Sequence, residues 1–163
     1  MCVLTGAPAG AATSASFQAT ATIVSGCEIN GDIPASGQAV GQFGTLSFGL
    51  HSGVATGTIN SSMVSNASVV LSCTPGVTLT MTTDSGQHAG TTRNMQAGTV
   101  TQRVSYRLYR DAAFAQELIA NQAVAVSFSD PTNIKLPIYG RATLPGNGAP
   151  GTYTDTVVVT LNW

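Results

Sequence analysis

The amino-acid sequence predicts an all-β fold, either an antiparallel sandwich or a barrel. Roughly seven or eight short segments alternate apolar and polar residues with a period of two, which is typical of strands with one buried face. Turn residues, mainly Gly, Pro and Asn, separate these segments, and no segment has a convincing helical pattern. Many short strands divided by such turns indicate a sandwich or a barrel, and periodicity does not choose between the two.

The first alternating segment covers residues 16–29 and predicts a half-buried strand. Its apolar face consists of Phe17, Ala19, Ala21 and Ile23, and its polar face of Gln18, Thr20 and Thr22. Gly26 then provides a hinge in front of Cys27. The strand can complete the sheet of its own domain or the sheet of another copy, and this choice decides what the protein does.

The middle of the chain contains six further predicted strands and one weak edge strand. The six lie at 44–49, 68–73, 77–82, 103–109, 124–128 and 134–138, and the weak one lies within 51–66. We expect loops at 93–98 and 141–151, and a loop with at most one helical turn at 111–121, capped by Asp111. Pro137 cannot donate a ladder hydrogen bond, so its strand is predicted at a sheet edge.

The last predicted strand covers residues 152–163 and is strongly apolar. Its apolar face consists of Tyr153, Val157, Val159, Leu161 and Trp163. We expect Trp163 in the core, and Asp155 at the wet end of the strand or paired with an arginine such as Arg141. No later segment is left to pair the outer edge of this strand, and an open apolar edge invites aggregation unless a partner covers it. Strand addition is the binding mode that fits such an edge.

Composition excludes several functional classes. Charged residues make up 8% of the 163 residues, Lys135 is the only lysine, and the formal net charge is -1. Phosphate binding needs clustered Arg and Lys, so nucleic acid is not an expected partner. A surface of Thr, Ser, Asn, Gln and Gly suits a secreted structural protein. No apolar run approaches the roughly 20 residues of a membrane span.

The cysteines predict one disulfide in an oxidising compartment. Cys27 and Cys73 lie in strand-like segments, and a pair of this kind in a charge-poor β protein favours a bridge over two buried free thiols. Cys2 is then left over within residues 1–15. That stretch is rich in small residues, and it is either a leader that remains from a signal peptide or a flexible N-terminus.

Catalytic motifs are not expected in this chain. His51 and His88 stand in Gly/Ser-rich loops without a carboxylate at metal-ligand spacing. No serine lies in a nucleophile elbow, and no Gly-Lys-Ser/Thr follows the glycines of residues 41–49. We therefore predict no enzyme activity, no catalytic residue, no metal and no cofactor.

Several short motifs in order resemble the spore coat U domain family, which includes pilin subunits of archaic (Csu-type) chaperone–usher pili. The motifs cover nearly the whole chain after residue 16 and are specific only as a set. They are Gly26-Cys27, Phe43-Gly44-Thr45-Leu46-Ser47-Phe48-Gly49, Leu71-Ser72-Cys73, Tyr106-Arg107-Leu108-Tyr109-Arg110-Asp111, Ile138-Tyr139-Gly140 and Gly151-Thr152-Tyr153-Thr154-Asp155-Thr156-Val157.

The resemblance implies an incomplete immunoglobulin-like antiparallel β-sandwich that a donated strand completes. Residues 16–26 would be donor strand and hinge, and residues 27–163 the pilin domain. The donor residues would be Phe17, Ala19, Ala21 and Ile23, the disulfide Cys27–Cys73, and the acceptor groove Tyr153, Val157, Val159, Leu161 and Trp163. Two alanines on the donor face, where larger apolar side chains would hold better, leave the donor register open.

The implied partners are other copies of the chain or related pilins, a periplasmic chaperone and an outer-membrane usher. The implied location is a cell-surface pilus, reached through the periplasm, that serves adhesion and biofilm formation. Two alternatives stay open. One is a self-complete secreted coat or matrix protein. The other is a tip adhesin or sugar-binding module, for which Tyr109, Tyr139 and Trp163 are the candidate exposed aromatic residues.

Overall fold

The computed structural model describes residues 14–67, 69–98 and 101–163, and within these ranges the chain forms eleven strands and no helix. The strands are β1 (Cys27–Ile29), β2 (Gly44–Thr45), β3 (Thr56–Ser62), β4 (Val64–Ser65), β5 (Leu71–Cys73), β6 (Leu79–Thr83), β7 (Arg93–Gln96), β8 (Arg103–Tyr109), β9 (Val124–Val126), β10 (Tyr139–Pro145) and β11 (Val159–Asn162). The described ranges thus contain no helix that could cross a membrane.

Two main antiparallel sheets enclose a single core. The larger sheet has the order β3-β10-β8-β7, and the smaller has the order β11-β6-β9. Buried side chains from both sheets belong to one hydrophobic cluster: Val104, Tyr106, Leu108 and Ala142 from the larger sheet, and Leu79, Met81 and Val126 from the smaller. The predicted all-β class is confirmed, and the shared core makes the fold an antiparallel sandwich.

Two short strand pairs complete the architecture. Strand β2 pairs with β4, and the chain after β2 then packs on β10. A Cβ atom at Gly140 would lie 2.8 Å from Leu46 and 2.9 Å from Phe48, so a larger residue here would displace the tips of these two side chains. The close approach places the predicted inward pair, Leu46 and Phe48, against the core.

The predicted disulfide is present and joins the second pair, β1 and β5. Cys27 and Cys73 are register partners as well as bridge partners, 46 residues apart in sequence, and both are buried. The bridge therefore fixes the first strand to the body of the sandwich. The leftover Cys2, and most of the predicted leader at 1–15, lie outside the described residues.

Two predicted loops are strands in the structure. Residues 93–98 contain β7, because the buried side chain of Arg93 hydrogen-bonds to backbone and hydroxyl groups inside the fold. The predicted loop 141–151 begins inside β10, the central strand between β3 and β8. Each segment carries residues that are polar or small, and tertiary contacts outweigh that local signal.

One predicted strand is absent from the structure, and one predicted loop contains no helical turn. Residues 134–138 form no strand, although Ile134, Leu136 and Ile138 are buried in alternation. Backbone bonds instead tie this segment to β5, including the Ile134 N–H to the Leu71 carbonyl at 2.8 Å. Residues 111–121 form a turn without a helix, in which the Asp111 carboxylate accepts backbone N–H groups.

The last predicted strand, residues 152–163, is divided between the two sheets. Thr154 pairs with Gln96 at the edge of the larger sheet through two backbone hydrogen bonds of 3.0 and 3.1 Å. Residues 159–162 form β11 and pair with β6 in the smaller sheet. The chain therefore crosses from one layer of the sandwich to the other between these two contacts.

Candidate functional site

The N-terminal segment lies outside the sandwich. Residues 14–25 are exposed throughout, and no ladder pairing joins residues 14–26 to any other described part of the chain. Phe17 is 92% exposed and Ile23 is 95% exposed, and Ala19 and Ala21 are exposed as well. The strand predicted over residues 16–29 is thus formed only at its end, as β1. The donor role of the four apolar residues stays a prediction.

This segment leaves the domain at a firmly held point. The Gly26 carbonyl accepts the Thr74 N–H at 2.8 Å, and the Gly26 N–H donates to Thr74 Oγ1 at 3.3 Å. The disulfide at Cys27 follows immediately. The exposed segment is therefore tethered at its C-terminal end, where Gly26 bonds to the residue that follows β5.

Trp163 lies beside this exit point. A Cβ atom at Gly26 would lie 3.5 Å from the indole nitrogen of Trp163. Trp163 is 44% exposed, so its predicted place in the core is wrong. The reason is its position one residue beyond β11, where the small sheet ends and one side of the ring faces solvent.

Strand β11 has one paired edge and one open edge. It is the terminal strand of the order β11-β6-β9, and among the described residues only β6 forms a ladder with it. Val157, Val159 and Leu161 are half-buried and pack against the core, whereas Val158 and Thr160 are exposed. These three predicted acceptor residues thus lie together in or next to β11. The backbone N–H and C=O groups on the open edge of β11 are available for pairing.

Tyr153 is the fourth half-buried member of the predicted face and lies at its far end. Its hydroxyl donates to the Ala149 carbonyl at 3.0 Å and to Gln102 Oε1 at 3.3 Å. These contacts hold it beside the larger sheet. The five predicted acceptor residues therefore lie in two groups: Tyr153 beside the larger sheet, and Val157, Val159, Leu161 and Trp163 in or next to β11 in the smaller sheet.

Asp155 is buried between these two groups. Its side chain is 3% exposed and accepts the Tyr106 hydroxyl at 2.6 Å and the Gln87 N–H at 2.8 Å. The predicted wet-end position and the predicted pairing with Arg141 are both wrong, because the inward alternation of the strand carries the carboxylate into the core. Burial, and then the hydrogen bond to this carboxylate, raise the pKa of Tyr106 above its ordinary value.

The two histidines occupy different surroundings. His51 is exposed, and its Nε2 lies 2.7 Å from the Phe48 carbonyl. The Nδ1 atom of His88 lies 3.3 Å from Asp155 Oδ1, and this side chain is 27% exposed. No group of three or more His, Cys, Asp or Glu side chains in the described ranges is placed to hold a metal ion.

Comparison with known proteins assigns the family. The family model described as Spore Coat Protein U domain matches residues 13–160. The chain belongs to this family. No curated protein matches the chain.

A solved structure similar to this spore coat U domain is the pre-assembly complex of the chaperone CsuC with the tip adhesion subunit CsuE, from the archaic chaperone-usher Csu pili of Acinetobacter baumannii. The identity is 15% and the TM-score is 0.48. The match covers 87% of the present chain and 41% of the matched chain, so the present chain spans less than half of that neighbour.

Sequence reasoning missed two polar groups inside the spore coat U domain. Arg93 is 5% exposed, and its guanidinium donates to the Asp84 and Leu118 carbonyls and to Thr83 Oγ1. Burial lowers the pKa of Arg93, because desolvation disfavours the charged form. The second group is Asp155 with Tyr106. The only sequence signal for it was a carboxylate on an otherwise apolar face.

The aromatic residues proposed for a sugar-binding module are not a flat exposed platform. Tyr109 is only 9% exposed and Tyr139 is half-buried. Both rings contact Phe114 edge to face. The ring centroid of Phe114 lies 5.4 Å from that of Tyr109 and 6.4 Å from that of Tyr139. This cluster lies at the end of β8 and the start of β10, in a different sheet from β11.

Proposed function

We propose that this spore coat U domain is a structural subunit of a chaperone–usher pilus that polymerises by donor-strand exchange. Residues 16–26 of one copy would pair with the open edge of β11 in the next copy. The observation that carries the proposal is the extreme exposure of Phe17 and Ile23 on an alternating segment that has no ladder partner in the described part of its own chain.

The exposed donor segment is unfavourable for an isolated domain. Large apolar side chains left in water forgo about 1.5 to 3 kcal/mol each compared with full burial. The apolar face of the segment holds two such side chains, Phe17 and Ile23, and two alanines. Burial against a partner, with a new ladder of backbone hydrogen bonds at about 0.5 to 1.5 kcal/mol each, would recover this free energy.

The open edge of β11 is a matching receptor for such a strand. Val157, Val159 and Leu161 are only half-buried, so an added strand could cover their remaining apolar surface. Backbone hydrogen bonds would provide affinity, and alternate side chains entering the core would provide register. The same edge without a cover would be an aggregation site, which is the reason a periplasmic chaperone is expected to hold the subunit before assembly.

The family supports this function from a separate direction. The chain belongs to the spore coat U domain family. Its ordered motifs resemble that family, which includes pilin subunits of archaic chaperone–usher pili. For the present chain, we infer a periplasmic chaperone, an outer-membrane usher and a surface fibre that serves adhesion and biofilm formation. The disulfide fits passage through the oxidising periplasm.

Deletion of all residues before Val24 tests the proposal. The truncated chain should remain a chaperone-bound monomer, because it keeps its acceptor edge and lacks a strand to donate. The measurement is electron microscopy of the purified protein, together with a gel that detects oligomers resistant to SDS and lost on boiling. Fibres or an oligomer ladder from the truncated chain would contradict the donor assignment and favour other assembly contacts. A full-length chain that stays monomeric beside chaperone and usher would favour the self-complete coat protein.

A further inference from the structure

Two arginines face each other on the outer surface of the larger sheet. Arg107 in β8 and Arg141 in β10 are direct register partners. Residues opposite one another in an antiparallel pair project from the same face, and like charges in that position destabilise the sheet. The full chain has only six Lys and Arg residues, so placing two of them together is a notable local concentration of charge.

The charge of this pair is only partly compensated. Arg107 Nη1 lies 2.8 Å from Glu117 Oε2 in a largely exposed ion pair. Arg141 donates through Nε to Asn60 Oδ1 at 3.0 Å, and the described residues provide it with no carboxylate. Within the opposed pair, the positive charge of Arg141 therefore has no carboxylate partner among the described residues.

The Arg141 guanidinium is also held in a fixed position. Its Cζ atom lies 4.4 Å from the ring centroid of Phe114 and 5.8 Å from that of Tyr109. Phe114 has a φ of 57°, in the left-handed region, which is a strained conformation for an aromatic residue. Strained residues of this kind are found preferentially at functional sites. The stacked, pre-oriented guanidinium has the form of a binding group.

A surface depression of about 180 Å³ lies beside the two arginines. Hydroxyl-bearing residues line the rest of it: Thr92, Ser105, Tyr106, Tyr109 and Thr143. One water molecule needs only about 15 Å³ on this measure, and drug-sized ligands occupy roughly 300 Å³ or more. The depression therefore has the size for one small molecule.

We propose that this depression, called here the arginine depression, binds a small sugar acid through its carboxylate. A guanidinium fork pairs with a carboxylate through two parallel hydrogen bonds, and the lining hydroxyl groups are suited to the hydroxyl groups of a sugar. Binding of the carboxylate would neutralise the opposed arginines. This site is separate from the strand-exchange edge and does not depend on the proposed pilus function.

The test is a titration of the full chain with galacturonate and, in parallel, with the neutral sugar galactose, followed by NMR or calorimetry. Galacturonate should saturate the protein and galactose should not. Arg141→Gln should weaken galacturonate binding about tenfold or more, which corresponds to one good charge-assisted contact. Arg141→Lys keeps the charge but lacks the fork, so it should weaken binding several-fold. It also keeps the test valid if the glutamine variant does not fold.

Arg103→Gln is the matched control. Arg103 projects from the same face of β8 but bonds to Gln96 Oε1 and lies outside the arginine depression. Its replacement removes one positive charge and should leave galacturonate affinity unchanged. The proposal is overturned if galacturonate does not saturate the protein, if galactose binds equally well, or if Arg103→Gln weakens galacturonate binding as much as Arg141→Gln.

Discussion

At the scale of single residues, the buried carboxylate of Asp155 is the main polar anchor of the final segment. It joins the crossing between the two sheets to Tyr106 in β8 and to the backbone of the 86–88 turn. A Cβ atom at Gly86 would collide with this carboxylate, so the turn also requires glycine there, at a φ of 76°. Asp155 therefore positions the chain that leads into β11.

Asp155→Asn should destabilise the fold by about 1.5 to 3 kcal/mol. The substitution removes the charge that strengthens the hydrogen bonds from Tyr106 and Gln87, and it places an amide N–H group where the carboxylate accepted a hydrogen bond. The measurement is the free energy of unfolding from urea titration. Asp32→Asn is the matched control, since the Asp32 side chain is exposed, and it should change stability by less than about 0.5 kcal/mol. Equal effects of the two substitutions would contradict the anchoring role.

Acid sensitivity is expected from two surface carboxylates. Backbone N–H donors, first that of Ala115, lower the pKa of Asp111 below its ordinary value of 3.8, and hydrogen bonds from Thr132 do the same for Asp130. A carboxyl group whose pKa is lower in the folded state contributes stability above the unfolded pKa. This contribution is lost as the pH falls through the folded value.

The wild-type Tm should therefore fall as the pH decreases below about 4, and Asp130→Asn should reduce that decrease because asparagine keeps the turn without titrating. Thermal unfolding followed by circular dichroism at about pH 5 and about pH 2 measures the difference. A variant whose Tm falls as much as that of wild type would show that Asp130 does not contribute to the acid sensitivity.

At the scale of elements, the donor segment can be tested by its two faces. Ile23→Asp places a charge on the face proposed to enter a neighbour, whereas Thr22→Asp places the same charge on the face proposed to remain in solvent. Ile23→Asp should abolish SDS-resistant oligomers, and Thr22→Asp should leave them. Equal oligomer yields would contradict the proposed orientation of the strand. Neither position is buried in the single chain, so neither substitution should alter its folding.

Prediction from sequence succeeded where apolar alternation was strong. It located β5, β6 and β8, with Leu79, Met81 and Leu108 directed into the core, and it paired the two bridge cysteines. It failed at β7 and β10, whose polar and glycine residues are held by tertiary contacts such as the packing of Leu46 on Gly140. Local propensity contains no information about those contacts.

The candidate site shows the same division. Alternation identified the apolar face that leads into β11, and it marked Asp155 as unusual without revealing its partner, because Tyr106 is 49 residues away in sequence. The opposed pair of Arg107 and Arg141 depends on the register between β8 and β10. Register between strands distant in sequence follows from the packed fold and cannot be obtained from either segment alone.

At the scale of the whole molecule, the described residues form a sandwich with an exposed segment before β1 and an open edge at β11 in the smaller sheet. The disulfide fixes the base of the exposed segment to the sandwich, since it joins β1 to β5. In the proposed fibre, each copy would transmit load from its acceptor edge through the sandwich to its donor segment.

The most direct test is to append a second copy of residues 16–26 after Trp163 through a flexible Gly/Ser linker. If β11 accepts this strand, the appended copy should complete the fold within one chain, raise the Tm and stop polymerisation. A control chain whose appended copy has Asp at the position of Ile23 should show none of these three effects. An unchanged Tm with the unmodified appended copy, and continued fibre formation, would contradict the central claim that this fold is completed by a strand from another molecule.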